Sequence, residues 1–156
     1  MSTYTVQQIK HWLAFRTSTL EGFIASNKIT PDQIQTNSDK YKLTNLTFIR
    51  AEHLSAHVYF YPSGKFAIMN IYGEGLKQLS AADLFSVYGK PETEERSRAG
   101  KTANYAVYAK EGFAFSYQHE DNDVHFLDVF PSMPFKEYME NIYLPPGPFI
   151  RQYDAY

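Results

Sequence analysis

The residues whose types could support chemistry gather in one stretch, Asn104 to Phe130. Asp128 lies there in an otherwise apolar run, where a buried and unpaired carboxylate would be costly. Three interpretations are open: its side chain faces solvent on an open sheet, pairs with Arg96 or Arg98, or acts as a general acid or base near His125. No second strand-borne carboxylate accompanies Asp128, which argues against a glycosidase-like pair.

The histidines and their acidic neighbours are the candidate metal ligands. The segment from His119 to His125 carries several oxygen and nitrogen ligands, but it lacks the glycine and the ligand periodicity of a calcium loop. A solvated hairpin tip is the favoured interpretation. His53 and His57 lie four residues apart in strand-like sequence, where that spacing spans roughly 13 Å and prevents them from sharing one ion. We therefore expect no metal and no cofactor.

Nucleotide and nucleophile motifs are incomplete. Gly100-Lys101-Thr102 ends like a P-loop, but the glycine required five residues earlier is Glu95. Neither Gly-x-Gly-x-x-Gly nor Gly-x-Ser-x-Gly occurs, and the absence of cysteine excludes a thiol nucleophile and zinc–thiolate sites. The sequence favours a protein without catalytic activity. The alternative is an enzyme or small-molecule-binding protein with a pocket lined by Tyr and Phe.

The aromatic content gives two interpretations. Aromatic residues form 17% of the chain, almost all of them Tyr and Phe. They suit an aromatic-rich β core, or a binding surface, because Tyr is enriched at interfaces. Tyr59, Tyr61 and Tyr108 would form such a surface if the helices covered the opposite side of the sheet. Otherwise they would pack beneath the C-terminal tail.

Charged residues say little about partners. Arg96 and Arg98 lie with Lys101 in a loop that also carries three glutamates, so the cluster is either a self-compensated surface or a contact for an anionic partner. The formal net charge of −2 argues against a dedicated nucleic-acid binder.

The first residues show no secretion signal, because Lys10, His11, Arg16 and Glu21 interrupt every apolar run. No apolar stretch is long enough to span a membrane. Together with the lack of cysteine, this favours a soluble, cytoplasmic protein.

Hydrophobic periodicity supplies the elements that would position these residues. It predicts one helix over 6–25, short helices over 81–88 and 132–143, and a single turn at Thr30-Pro31. Strands are predicted over 43–51, 57–61 and 66–72, and again within 104–130, where Gly112 and Pro131 mark the turn and the end. Segments 35–42 and 92–101 are expected to be polar loops, and 144–156 an extended tail pinned by Phe149 and Ile150.

These elements predict an α+β fold in a single domain, 1–156. We expect an antiparallel sheet of about six strands in two three-stranded meanders, with helices packed mainly on one face. The hairpin Val58–Ile68 also resembles Tyr105–Phe115. Either two aromatic hairpins simply look alike, or the chain holds tandem units over 5–72 and 79–143.

The segment Leu79–Glu92, a capped helix that ends in Gly-Lys-Pro before a meander, resembles the start of SmpA/OmlA-like and β-lactamase-inhibitor-protein-like modules. The resemblance covers about one third of the chain, Leu79 to Phe130. This sequence differs from the group in lacking the lipid-anchor cysteine. It implies protein binding through an open sheet face and carries no functional residue over.

The leading expectation is therefore a protein-binding or inhibitor module, which includes bacterial immunity-type proteins that neutralise a partner. A structural subunit of a homodimer is a third interpretation. The expected binding residues are Tyr59, Tyr61, Arg96, Arg98, Tyr108, His125 and Asp128.

Overall fold

A computed structural model of the chain describes residues 3–100 and 102–145. Its strands form one eight-stranded antiparallel sheet in the order β1-β2-β3-β4-β8-β7-β6-β5. The strands are β1 (Ile34–Lys40), β2 (Leu43–Ala51), β3 (Ala56–Phe60), β4 (Phe66–Tyr72), β5 (Thr93–Arg96), β6 (Ala103–Tyr108), β7 (Phe113–Gln118) and β8 (Val124–Val129). The α+β class with an antiparallel sheet is confirmed.

The prediction of about six strands in two three-stranded meanders was wrong, because the sheet has eight strands. The two missing strands, β1 and β5, are the edges of the sheet, and their sequences are polar. An edge strand is hydrogen-bonded on one side only and is often charged, so it lacks the apolar alternation that reveals an inner strand. The sheet is continuous because β4 pairs with β8 in its centre.

The helices are α1 (Thr3–Leu13), α2 (Leu20–Asn27), α3 (Ala81–Tyr88) and α4 (Phe135–Asn141). The single helix predicted over 6–25 is interrupted by a tight turn at Ala14–Thr17, after which Thr19 caps α2 by accepting a hydrogen bond from the Gly22 amide at 3.1 Å. Ser80 caps α3 in the same way, accepting from the Asp83 amide at 3.1 Å. Three further short 3₁₀ turns in the described residues are Pro31–Gln33, Glu52–Leu54 and Gly73–Leu76.

Each face of the sheet carries a buried core. The first face packs under α1, α2 and α3 around side chains such as Trp12, Phe23 and Leu84. The second face carries a separate core that includes Tyr138 from α4. The helices therefore lie mainly, but not solely, on one side, since α4 occupies part of the opposite face. No described helix is long and apolar enough to cross a membrane.

Each half of the sheet is a four-stranded meander, and the last strands of the two meanders pair at the centre. This order makes β3 and β4 equivalent to β7 and β8. The hairpin similarity in the sequence instead aligns β3 and β4 with β6 and β7, one strand away. The sequence similarity therefore does not follow the equivalence of the halves. The predicted tail over 144–156 lies outside the described residues from 146 onward.

Candidate functional site

Within residues 3–100 and 102–145, the second face of the sheet is covered over only part of its area. There α4 packs on the sheet with the Tyr138 ring against the Phe130 ring, their centroids 4.7 Å apart. Beyond α4 lies a shallow, open depression of about 450 Å³, which we call the face depression. It is lined by Lys40, Tyr41, His57, Asn70, Tyr72, Arg98, Ala99, His125 and Phe126.

A β-bulge brings His125 into this depression. Ser116 pairs with Phe126 and Tyr117 pairs with Val124, so the strand partner has no residue opposite His125. An extra residue in one strand breaks the strict alternation of faces. His125 and Phe126 consequently line the same depression although they are neighbours in sequence.

Aromatic rings form a continuous row along one side of the depression. Phe48 lies 5.0 Å from both His57 and Tyr59, and the His57 ring lies 4.7 Å from Tyr72. Phe48, His57 and Tyr72 are half-buried, so each ring packs on its neighbours and also reaches solvent. Rings of this kind provide contact area at a low cost in side-chain entropy.

Asp128 forms the floor of the site and is fully buried. Its Oδ1 accepts a hydrogen bond from Asn70 Nδ2 at 2.8 Å, and its Oδ2 accepts bonds from the hydroxyls of Tyr105, at 2.8 Å, and Tyr41. Because the Tyr105 hydroxyl donates to Asp128, the Tyr138 hydroxyl 2.9 Å away must donate to Tyr105. The carboxylate is thus held by neutral donors from β4, β6 and the β1–β2 turn.

The tyrosine hydroxyls in the hydrogen-bond network around Asp128 are less acidic than that of an ordinary tyrosine. Burial, followed by the charge of Asp128, raises the pKa of Tyr41 and of Tyr105 well above the ordinary tyrosine value. Tyr41 has a left-handed backbone, with φ of 55°, which a bulky residue adopts only against a steric cost. Its hydrogen bond to Asp128 therefore holds the β1–β2 turn over the floor of the site.

The enclosed space beside the network is small. A cavity of about 10 Å³, lined in part by Tyr41, Tyr105 and Tyr143, has room for about one water molecule. Arg98 closes this side by donating hydrogen bonds to the carbonyl oxygens of Pro145, at 2.8 Å, and Leu144, at 3.3 Å. The cavity does not admit a substrate.

Cationic groups surround the face depression. Lys40 and Arg98 line it, and the exposed Arg50 pairs with His57 across β2 and β3. Desolvation lowers the pKa of His57, Lys40 and Arg50 lower it further, and Glu52 raises it. These effects indicate that both cations act on the imidazole and that Glu52 is the nearby counter-charge.

The structure separates the residues expected to form the binding site. His125 and Arg98 line the depression and Asp128 lies buried beneath it, whereas Tyr59 lies almost fully buried beside it. Arg96 contributes its carbonyl oxygen, which accepts a hydrogen bond from the Tyr143 hydroxyl at 3.2 Å.

The expectation that Tyr59, Tyr61 and Tyr108 share one surface was wrong. Tyr61 and Tyr59 pack in the second-face core, but Tyr108 belongs to the first face, stacked on Phe113 with its hydroxyl donating to the Gly89 carbonyl at 2.6 Å. The cause is the alternation of β6, which points Tyr105 and Tyr108 to opposite sides.

The burial and hydrogen bonds of Asp128 bear on its three interpretations. Its side chain does not reach solvent, and none of its described hydrogen bonds comes from an arginine or from His125. His125 Nδ1 instead lies 3.4 Å from the Ser116 hydroxyl, which is fully buried and also bonded to Ser97. A buried serine of this kind is not accessible to a substrate as a nucleophile.

Sequence reasoning missed Lys40, Tyr41, Asn70, Tyr72 and Phe126 as site residues. The polar segment before Leu43 gave no strand pattern, and the pairing of β4 with β8 is a long-range feature that no local spacing reveals. The alternation of β3 predicts that His57 lies on the other face of the sheet from Val58 and Phe60, and the structure confirms this prediction.

Metal binding finds no geometric support in residues 3–100 and 102–145, where no three His, Asp or Glu side chains converge on one point. Lys101, part of the predicted basic cluster, lies outside the described residues.

No protein family, curated protein or solved structure significantly matches this chain.

Proposed function

We propose that this chain is a non-catalytic protein-binding module and that its contact surface is the part of the second sheet face that the described residues leave uncovered. The observation that carries the proposal is the row of half-buried rings at Phe48, His57 and Tyr72 beside the open face depression. Half-buried aromatic and cationic side chains around a shallow concavity are typical of protein-interaction surfaces.

The rigid sheet beneath this surface supports the same function. Phe48, His57 and Asn70 lie on adjacent paired strands, so the surface is fixed by backbone hydrogen bonds rather than by a loop. A partner binding there would lose little free energy to ordering the module. The resemblance of Leu79 to Phe130 to modules that bind proteins with an open sheet face points to the same class.

The pocket-based alternative receives less support. A substrate site requires an enclosed concavity with convergent titratable groups. The enclosed cavity beside Asp128 measures about 10 Å³, and the larger depression is open and shallow. An inhibitor or immunity-type role is a narrower form of the proposal, in which binding at this surface abolishes an activity of the partner.

Site-specific photo-cross-linking in the native host tests the proposal. A photoreactive phenylalanine analogue replaces Tyr72 or Phe48 on the proposed surface, or Tyr4, which is 41% exposed on α1. We expect one protein to be cross-linked from both surface positions and not from Tyr4, and the purified pair to bind in solution. Adducts that form equally from all three positions, or from none, would overturn the proposal.

A further inference from the structure

The charged side chains that line the face depression are cationic. Lys40 and Arg98 line it, and Arg50 extends the cationic side beyond His57. No carboxylate of the described residues is among its lining groups, although the whole chain has a net charge of −2. The lining of this surface therefore differs in sign from the net charge of the chain.

Two carboxylates lie near the depression without lining it. Asp128 lies beneath it, where the neutral donors Asn70, Tyr41 and Tyr105 occupy both of its oxygens and leave its charge in place. Glu52 is exposed and lies on a short turn after β2, where it acts on His57 from outside the lining. Among the residues that the structure describes, neither Lys40 nor Arg98 forms an ion pair, so an anion in the depression would meet these cations and the two imidazoles.

From this geometry we infer that the partner presents an acidic segment, with a carboxylate side chain in the face depression and apolar neighbours against Tyr72, Phe126 and Phe48. The inference rests on the proposed function and specifies the partner's chemistry. Oppositely charged surfaces fix the orientation of a complex and accelerate association. The aromatic rings favour a polypeptide, since the overall negative charge of the chain opposes a long polyanion such as nucleic acid.

Peptide selection against the full chain tests the inference. A phage-displayed library of random short peptides is panned on the native protein, and the affinity of the strongest peptide is measured by fluorescence anisotropy. We expect recovered peptides to be enriched in Asp and Glu, with affinity that falls as salt rises. Replacing the acidic residues of that peptide with their amides is expected to weaken binding roughly tenfold or more.

Charge variants of the protein locate the contact. The double variant Lys40→Gln and Arg50→Gln is expected to weaken peptide binding about tenfold, because it removes two cations from the surface. The matched control Lys10→Gln and Lys90→Gln removes two exposed cations on α1 and after α3, and should change affinity by less than about twofold. Arg98→Lys keeps the charge and should retain binding where Arg98→Gln loses it.

The outcomes separate this inference from the proposed function. Neutral peptides, a failure to select any peptide, or equal effects of the two double variants would overturn the inference, and the proposed function would still depend on the cross-linking. A fluorescent oligothymidylate is tested beside the peptide. Tight binding that competes with the peptide would assign the surface to single-stranded nucleic acid and overturn both proposals.

Discussion

Asn70 and Asp128 lie directly opposite each other on the central strand pair, with Asn70 Nδ2 2.8 Å from Asp128 Oδ1. This pair joins the two meanders at the middle of the sheet. Its neighbours on each strand, such as Ile71 and Leu127, are fully buried and apolar. Polar groups in such surroundings contribute to specificity when every hydrogen bond is satisfied, and they are costly when one partner is missing.

Removal of the Asp128 side chain should destabilise the fold severely. Asp128→Ala leaves Asn70, Tyr41 and Tyr105 with buried donors that lack an acceptor, and we expect the free energy of unfolding to fall by about 3–5 kcal/mol. Asp128→Asn keeps one acceptor oxygen and should cost less. Urea unfolding measures both variants. Glu137→Gln, an exposed change on α4, should cost less than about 0.5 kcal/mol. A loss below about 1 kcal/mol for Asp128→Ala would contradict a structural role for the network.

The buried tyrosines predict a loss of stability at alkaline pH. Burial raises the pKa of Tyr41, Tyr105 and Tyr138 in the folded state, whereas the tyrosines of the unfolded chain ionise near their ordinary pKa of 10.0. Above pH 10 the unfolded state therefore binds fewer protons than the folded state. The stability that these tyrosines contribute is complete below pH 10 and decreases as the pH rises further.

Urea unfolding at increasing pH, combined with tyrosinate absorbance of the folded protein, measures this effect. We expect Tyr105→Phe to make the decrease in unfolding free energy less steep above pH 10, because one titrating group is removed. Tyr4→Phe, at an exposed position, should leave the slope unchanged. An identical slope in the Tyr105 variant would show that this hydroxyl does not contribute.

Two glycines with similar backbones separate conformational strain from steric contact. Gly112 has φ of 97° and Gly64 has φ of 92°. A Cβ atom on Gly112 would lie 2.7 Å from the Phe130 carbonyl oxygen and 2.3 Å from Arg16 Nη1, whereas one on Gly64 meets no atom within 4 Å.

Alanine at these positions should therefore have different effects. Gly64→Ala is expected to cost about 1 kcal/mol from its positive φ alone. Gly112→Ala carries the same strain and also forces the Phe130 carbonyl oxygen to move. Because this oxygen belongs to the backbone, rotation of a side chain cannot relieve the clash. We therefore expect the free energy of unfolding to fall by at least about 2 kcal/mol more than for Gly64→Ala. Thermal or urea unfolding compares the two. Equal losses would show that the Gly112 hairpin adapts without cost.

The local sequence pattern predicts the inner strands of the sheet but not the residues that form the site. The bounds of β2 and β4 match the predicted strands because apolar residues fill these segments and turn residues follow. The edges β1 and β5 escaped prediction because hydrogen bonding to one neighbour, rather than burial, determines them. Lys40 and Tyr41 belong to that missed part of the chain.

The remaining site residues depend on long-range register. Asn70 meets Asp128 only because β4 pairs with β8, which are separated by the whole second meander. His125 reaches the depression through a bulge whose position is fixed by β7. Neither relationship leaves a periodic trace in the sequence, so Asp128 could be singled out as unusual while its partners could not be named.

The electrostatics of His57 provide a direct test of the surface. Desolvation lowers the pKa of His57 below its ordinary 6.5, and Lys40 and Arg50 add to the effect while Glu52 opposes it. Arg50→Gln should therefore raise the pKa of His57, and Glu52→Gln should lower it further. NMR titration of the imidazole measures both shifts, and Lys10→Gln on α1 serves as the control. Because the folded pKa is depressed, the associated stability is present above pH 6.5 and decreases as the pH falls below it. The absence of a shift in both variants would place Arg50 and Glu52 away from His57 and remove one side of the cationic surface.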